Sequence, residues 1–508
     1  MAITLFLFYL IIGLLVYDFV RKNKIGKKDP RQPWALPILG HLHLFGTQPH
    51  RSFTELAKKY GGIFTIWMGD ERSVVITDPN ILRELYVKNH SNFYNRAHTN
   101  SIKIYSGKYV DLSFSNDEIW KNNRRLVSAA LTKTKILNVI NLVEQQAAFL
   151  INSMNYYSKS GEAFYPHKYF NKYTMNIVTS IGFSKTISEN ESVDEGPISQ
   201  LLVPFNNILE DLGSGNLGDF VWYTRPFFYS RNKNLGKDVK KVYTFLEVLY
   251  NQHIETLDES NPRDLMDQLI ISTGGKQKDM VIHVSMDFIL AGSDTNGSTL
   301  EWFCIFLANN PDFQKKAYEE LISVVGKDCK AVTTKVRDNC PYIVGAIKET
   351  LRVRTPAPLS LIRVANEDFT TSEGVFIPKG TQIVPNIYGI AQNFVDDPST
   401  FKPERWVEYY KNKSPTRETE ANSNDLKPTN TNEKILPNDL DKVVLPFSIG
   451  ARNCPGNIIS EINLFLACSN ILLNFEITTT NGKKIDETEV FGLTIHPKDF
   501  SIKLTKRN

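Results

Sequence analysis

Residues 3–20 read ITLFLFYLIIGLLVYDFV, an apolar run interrupted by one carboxylate, Asp18. As a helix these eighteen residues span about 27 Å, close to the hydrocarbon thickness of a bilayer. Arg21, Lys22, Lys24, Lys27 and Lys28 follow at once, and no charged side chain precedes the run. A cleaved leader carries its positive charge in front and small residues at the cut. The reverse order predicts an uncleaved, single-pass anchor with its basic flank on the cytosolic side. The rest of the chain must then fold as a body tethered at one end. We divide it into an anchor with its basic flank at 1–28, a connector at 29–46 and a single body at 47–508. Pro30, Pro33, Pro37 and Gly40 rule regular structure out of the connector and predict a stiff spacer.

The body has an ordinary globular composition, 42% hydrophobic and 22% charged. Fifty-nine basic against 55 acidic residues is too small an excess to argue for nucleic acid. The five cysteines are odd in number and irregularly spaced, without a CxxC. That excludes a disulfide framework or structural zinc site as the organising device and favours a reducing compartment.

Apolar periodicity predicts helices over 116–132, 136–153, 172–181, 235–258, 279–309, 312–325, 342–353 and 458–473. Hairpins are expected around Gly69-Asp70 and around Pro378-Lys379-Gly380. The fold class is therefore mainly α with small β-sheets, an α+β body without alternating βαβ units. Residues 411–434, rich in Asn, Thr, Lys, Ser and Glu and free of aromatics, read as a polar surface insertion.

The chemistry concentrates in FSIGARNCPG, residues 447–456. Gly450 and Gly456 permit tight turns and close approach of a flat ligand. Cys454 sits just before a predicted helix N-terminus and near Arg452, and both favour a thiolate. A nucleophilic cysteine wants a histidine base, yet none lies between His283 and His496. A metal ligand is the better reading.

Phe447, Gly450, Arg452, Cys454 and Gly456 fill F-x-x-G-x-R-x-C-x-G, and in this the chain resembles the cytochrome P450 family. AGSDT at 291–295, ETLR at 349–352 with PERW from Pro403, and WKNNR at 120–124 extend the resemblance. It implies a haem-binding catalytic domain over 47–508 carrying haem b, iron protoporphyrin IX with Cys454 as axial thiolate and metal ligand. Trp120, Arg124, Arg363 and Arg452 would meet the propionates, Phe447 would shield the sulfur, and Gly456 completes the loop. Glu349, Arg352 and Arg405 would form a structural triad. Asp294 and Thr295 would be the acid–alcohol pair that delivers protons, with the Thr295 hydroxyl bonded to the Ala291 carbonyl and opening the helix locally. Asn296 departs from the second Thr or Ser common there.

The implied activity is insertion of one oxygen atom of O2 into a small hydrophobic substrate. NADPH–cytochrome P450 reductase is the implied electron donor, with cytochrome b5 as a further one. The membrane, by the same resemblance, is the endoplasmic reticulum with the body facing the cytosol. A peroxide isomerase or dehydratase of the same fold, or a non-enzymatic haem sensor, are the alternatives; neither needs the Asp294–Thr295 pair. Leu359, Leu361, Phe491 and Leu493 suggest an apolar pocket without naming its occupant.

Overall fold

Regular structure begins with the apolar run itself in this computed structural model, which describes residues 1–196, 199–412 and 435–507. Helix α1, Ala2–Asn23, has a mean hydropathy of 2.3 and leaves its apolar window outside the body. Among the described residues it is the one helix long and apolar enough to cross a membrane. Its last turn is locked to the connector. Lys22 is buried, with Nζ 2.8 Å from Asp18 Oδ2 and donating to the Ile38 carbonyl. Asn23 and Ala35 exchange two hydrogen bonds, and Phe19 stacks on Trp34. The expectation of no regular structure in the Pro-rich connector is corrected: Leu36 and Gly40 exchange backbone bonds and Leu42–Leu44 forms a 3-10 turn, while its other groups pair with a strand, Arg31 O accepting from Thr65 N–H and Trp67 O from His41 N–H.

That strand, β1 at Ile63–Met68, forms the expected hairpin with β2 at Glu71–Ile76. The helices come next: α2 (Asp117–Ala130), α3 (Pro166–Phe183), α4 (Tyr229–Glu255), α5 (Lys278–Asn309) and α6 (Pro341–Val353). Then come β3 (Arg363–Val364), β4 (Phe369–Thr370), β5 (Phe376–Ile377) and β6 (Gln382–Pro385). Helices α7 (Glu404–Asn412) and α8 (Asn457–Asn474) precede β7 (Phe475–Thr479), β8 (Glu489–Phe491), β9 (Ile495–Pro497) and β10 (Ile502–Lys506).

The main sheet has the order β1-β2-β6-β3, with β6 parallel to β2. Here one expectation is corrected. No hairpin closes across Pro378-Lys379-Gly380, because β5 turns back on β4 while β6 joins β2 and β3 in another sheet. The chain does turn there, with Thr381 N–H on Pro378 O, but its two arms part. Local turn chemistry marks the bend and says nothing about which strand each arm will pair with. Two further differences are that 136–153 is broken at Val139, and that a helix at Ser199–Ser214 forms despite Pro204. The polar insertion lies outside the described residues from 413 to 434.

Helix α5 is buried nearly all round, its polar side chains included, and runs through the interior. Helix α3 crosses close to it: a Cβ on Gly292 would sit 2.7 Å from Val178, and one on Gly297 2.8 Å from Asn171. Helices α6 and α8 pack on its far half and join it in the largest apolar cluster.

The predicted triad is present, with Glu349 and Arg352 fully buried and Arg405 at its edge. Arg352 makes two bonds to Glu349, at 2.8 and 2.9 Å, and Arg405 Nε adds a third at 2.9 Å. Trp406 Nε1 and Lys402 N–H complete the carboxylate's shell at 3.0 Å. Removing the shared anion leaves Arg352 buried and unpaired. Glu349→Ala should therefore cost about 3–5 kcal/mol in urea unfolding, far more than a surface pair.

Candidate haem-thiolate site

The loop at 447–456 owes its shape to two constraints. Cys454 N–H donates to Phe447 O at 2.9 Å, and Asn453 N–H to Gly450 O at 3.0 Å, so the chain folds back on itself before α8 begins. Gly450 has φ +75°, and a Cβ there would collide with the Tyr86 carbonyl. Only glycine satisfies both the conformation and the contact. Burial pushes the Cys454 thiol up from its ordinary value; the Gly456 N–H and the Arg124 guanidinium oppose that and favour the thiolate. A metal at the sulfur would settle the contest in the anion's favour.

Around this loop the fold gathers guanidinium groups. Arg452 donates to the carbonyls of Tyr94, Leu112 and Ser115 and lies 4.1 Å from the Trp120 ring centre. Arg363 donates to Phe93 and Ile449 carbonyls, stacks 3.5 Å over Tyr86, and keeps a buried Nε with no partner among the described residues. Arg124 is folded back on Asn453, with bonds of 2.7 and 2.6 Å. Arg96, which sequence reasoning missed, joins them through the carbonyls of Ser113 and Leu361. Among the described residues none of the four has a carboxylate within ion-pair distance. Asp111 is the nearby acid in their field, and burial followed by repulsion from Asp287 raises its carboxyl well above the usual carboxylate range. Burial, and then mutual repulsion, pushes Arg96 and Arg452 down accordingly.

Four cations held by carbonyls and an amide alone fit a group that brings its own carboxylates. Haem brings a pair of propionates and an iron that prefers a thiolate, so the residues present fit it. On α5, Ala291 is accessible and Gly292 and Thr295 half-buried in a helix otherwise buried here. The stretch Phe447–Ile462 is likewise half-buried along its length, apart from the buried Arg452. Asn296 spans the two sides: Ser460 Oγ donates to its Oδ1 at 2.6 Å, and its Nδ2 bonds Gly292 O. The departure at this position is thus a clamp between α5 and α8.

Thr295 Oγ1 donates to Ala291 O at 2.8 Å, as expected. The helix nevertheless runs unbroken from Lys278 to Asn309, so the expected local opening is absent. Asp294 faces elsewhere. Its carboxylate accepts from Thr494 Oγ1 at 2.5 Å, in the turn between β8 and β9, and lies 3.1 Å from His496 Nε2 in β9. Burial favours the neutral acid, but the His496 charge and hydrogen bond, then Thr494, outweigh it and lower Asp294. Burial likewise disfavours the imidazolium, and Asp294 outweighs it, raising His496 to about 9. Neither Thr494 nor His496 carries a sequence signal, being 200 residues or more from its partner. Leu361 and Leu493 pack beside Leu290, consistent with an apolar pocket, whereas Phe491 stacks on His50.

A family model described as Cytochrome P450 matches residues 30–504. The chain is 79% identical to the probable cytochrome P450 519E1 of Dictyostelium discoideum across all of both chains. It is 48% identical to that organism's probable 519B1, over 98% of each chain. With the probable 519A1 it shares 45% identity over 99% of this chain and 98% of the other.

The Asp294–His496 pair makes stability depend on pH with a definite sign. Its imidazolium contribution is full below about pH 6.5 and is lost as pH rises toward about 9. The depressed Asp294 contribution is lost only in acid, as pH falls through its folded value. Urea unfolding of wild type and His496→Gln should therefore differ most near pH 6 and converge by about pH 9 to 9.5.

Proposed function

The chain belongs to the cytochrome P450 family, and from that premise we propose a membrane-anchored haem-thiolate monooxygenase that inserts one oxygen atom of O2 into an apolar organic substrate. The observation that carries the reading is Cys454 on a pinned loop, flanked by the buried guanidiniums of Arg96, Arg363 and Arg452 without counter-charge. When bound, haem supplies binding and reductive activation of O2 at an iron that a thiolate makes electron-rich. The chain's own residues do the rest. Cys454 gives the thiolate, and the Gly456 N–H steadies its charge. Arg96, Arg124, Arg363 and Arg452 take the propionates, with Trp120 as the flat support under Arg452. Phe447 covers the proximal side and packs on the central cluster.

Thr295 Oγ1 holds a proton beside the reacting space, and Asp294 Oδ1 supplies the next one. Leu290, Leu361 and Leu493 exclude water and leave an apolar substrate to be held by contact alone. The electron donor is an NADPH-dependent reductase, with cytochrome b5 as a second donor. Helix α1 holds the body at a membrane, which we assign to the endoplasmic reticulum with the body in the cytosol. A second apolar contact supports this posture: Trp222 and Phe227 are exposed, and the adjoining Tyr223 lies in the field of Asp70 and Asp18 at the end of the anchor. A peroxide isomerase or dehydratase, or a haem sensor, would leave Asp294 and Thr295 without a task.

Cys454→Ser should abolish the red-shifted band of the reduced CO complex, because a hydroxyl is a poor, hard donor. Replacing Cys304, Cys329, Cys340 or Cys468 singly by Ala should leave that band in place. A thiolate band surviving in the Cys454→Ser variant would refute the assignment. Thr295→Ala should keep the band and NADPH consumption but release more of the consumed O2 as hydrogen peroxide. A roughly tenfold change in the partition corresponds to about 1.4 kcal/mol between competing barriers, the size of one lost hydrogen bond.

A further inference from the structure

Asp294 can hand a proton toward Thr295 only if something re-supplies it, and the residue is 6% exposed. Its partners continue outward. His496 presents Nε2 to Asp294 Oδ1 at 3.1 Å and to Thr494 Oγ1 at 3.0 Å. Its other nitrogen, Nδ1, is buried with no partner among the described residues. The neighbouring ring is His167 on α3, with centroids 6.3 Å apart. His167 Nδ1 lies 2.8 Å from Glu301 Oε1, and Asn171 closes over the same ring at 3.3 Å. Glu301 is buried, whereas the His167 side chain is 35% exposed. Asp294 and Glu301 stand seven residues apart on α5, two turns along one face. Acid and base thus alternate along the cluster His167, Glu301, His496, Asp294, in which Glu301 acts on His496 through its field and not through a hydrogen bond, and the His496 side chain is 23% exposed.

We propose that His496, with Glu301 and His167, forms the proton entry to Asp294, His496 being the positioning residue that both orients the carboxylate and re-protonates it. The proposal rests on the monooxygenase reading. A proton from water binds His167 and moves to Glu301 Oε1. The His496 imidazolium gives its Nε2 proton to Asp294 Oδ1; the neutral ring then flips, turns the bare Nε2 outward and takes the proton waiting on Glu301 through a bridging water, which restores the imidazolium. Each step breaks one N–H or O–H bond and forms another; no electrons move. A purely structural clamp would be met as well by a lysine or arginine, and would not need a second acid and an exposed imidazole in line. The raised pKa of His496, about 9, agrees with a ring that stays charged until Asp294 takes its proton. The groups facing it are Asp294 and Glu301 on α5, His167 on α3 and its own neighbour Thr494.

The test combines three variants with two kinds of readout. In histidine-labelled protein, nitrogen NMR should show His496 titrating well above an ordinary imidazole, and falling back in Asp294→Asn; an ordinary titration in wild type overturns the pairing. With reductase, NADPH and O2, the fraction of consumed O2 released as peroxide should rise about threefold in His496→Gln and about twofold in His167→Gln. The Gln at 167 keeps a hydrogen bond to Glu301 at a part-exposed site, so that variant folds even where His496→Gln does not. The rise should be largest at high pH, where solvent protons are scarce, and the solvent deuterium effect on NADPH oxidation should grow with it. Both variants at the wild-type peroxide fraction, with wild-type CO spectra and thermal midpoints, would overturn the relay alone. No O2 consumption by the wild type itself would overturn the monooxygenase reading, and the relay with it.

Discussion

Burying a guanidinium without a counter-charge costs several kcal/mol, and this fold does so around one loop with Arg96, Arg363 and Arg452, beside a half-buried Arg124. The four come from separate parts of the chain and converge on backbone carbonyls. Carbonyl dipoles reduce the cost but do not cancel the charge. Much of the surrounding architecture serves to make the arrangement tolerable. The 112–115 turn supplies carbonyls, and Trp120 and Tyr86 lend aromatic faces. The fold therefore holds free energy in reserve for a ligand that arrives with carboxylates, and a haem bound there would couple its binding to stability.

The triad at Glu349 solves the opposite problem. There the anion is the scarce partner, and Arg352, Arg405, Trp406 and the Lys402 amide all converge on it. The result is closed and needs no ligand. It joins α6 to α7, and α6 packs on α8, the helix after the cysteine loop. A self-contained charge cluster thus stands behind the loop, while an unfinished one stands in front of it. That asymmetry keeps the sulfur rigid and leaves the ligand side receptive.

What was legible in the sequence was whatever depends on neighbours along the chain. Cys454 with Gly450 and Gly456, the Thr295–Ala291 bond, the Glu349–Arg352 spacing and the long buried helix are all local patterns. The parted arms at Pro378–Gly380 were not legible, because a turn fixes direction and not the strand it will meet. Helix 199–214 was hidden by Pro204, whose cost is offset by packing on α4. Arg96 gave no sign because its partners are carbonyls, which every residue offers. His496 and Thr494 meet Asp294 only through the turn between β8 and β9, a contact that no periodicity encodes.

Asp294 and Thr295 are adjacent, yet on a helix adjacent side chains diverge by about 100°. One therefore cannot face the same surroundings as the other, and the structure uses the difference. Thr295 turns to the strip shared with Ala291, where its hydroxyl is committed to a carbonyl but still accessible. Asp294 turns to the β8–β9 turn, where Thr494 and His496 hold its charge in a setting that burial alone would neutralise. A carboxylate kept ionised in the interior can accept a proton, and one kept beside an imidazolium has a donor within reach. The same turn carries Leu493 toward the apolar cluster that includes Leu290. On the proposed reading, two chemically different tasks, excluding water from a substrate and admitting protons to an acid, fall to near neighbours in sequence, Leu493 and Thr494 of the turn and His496 of β9.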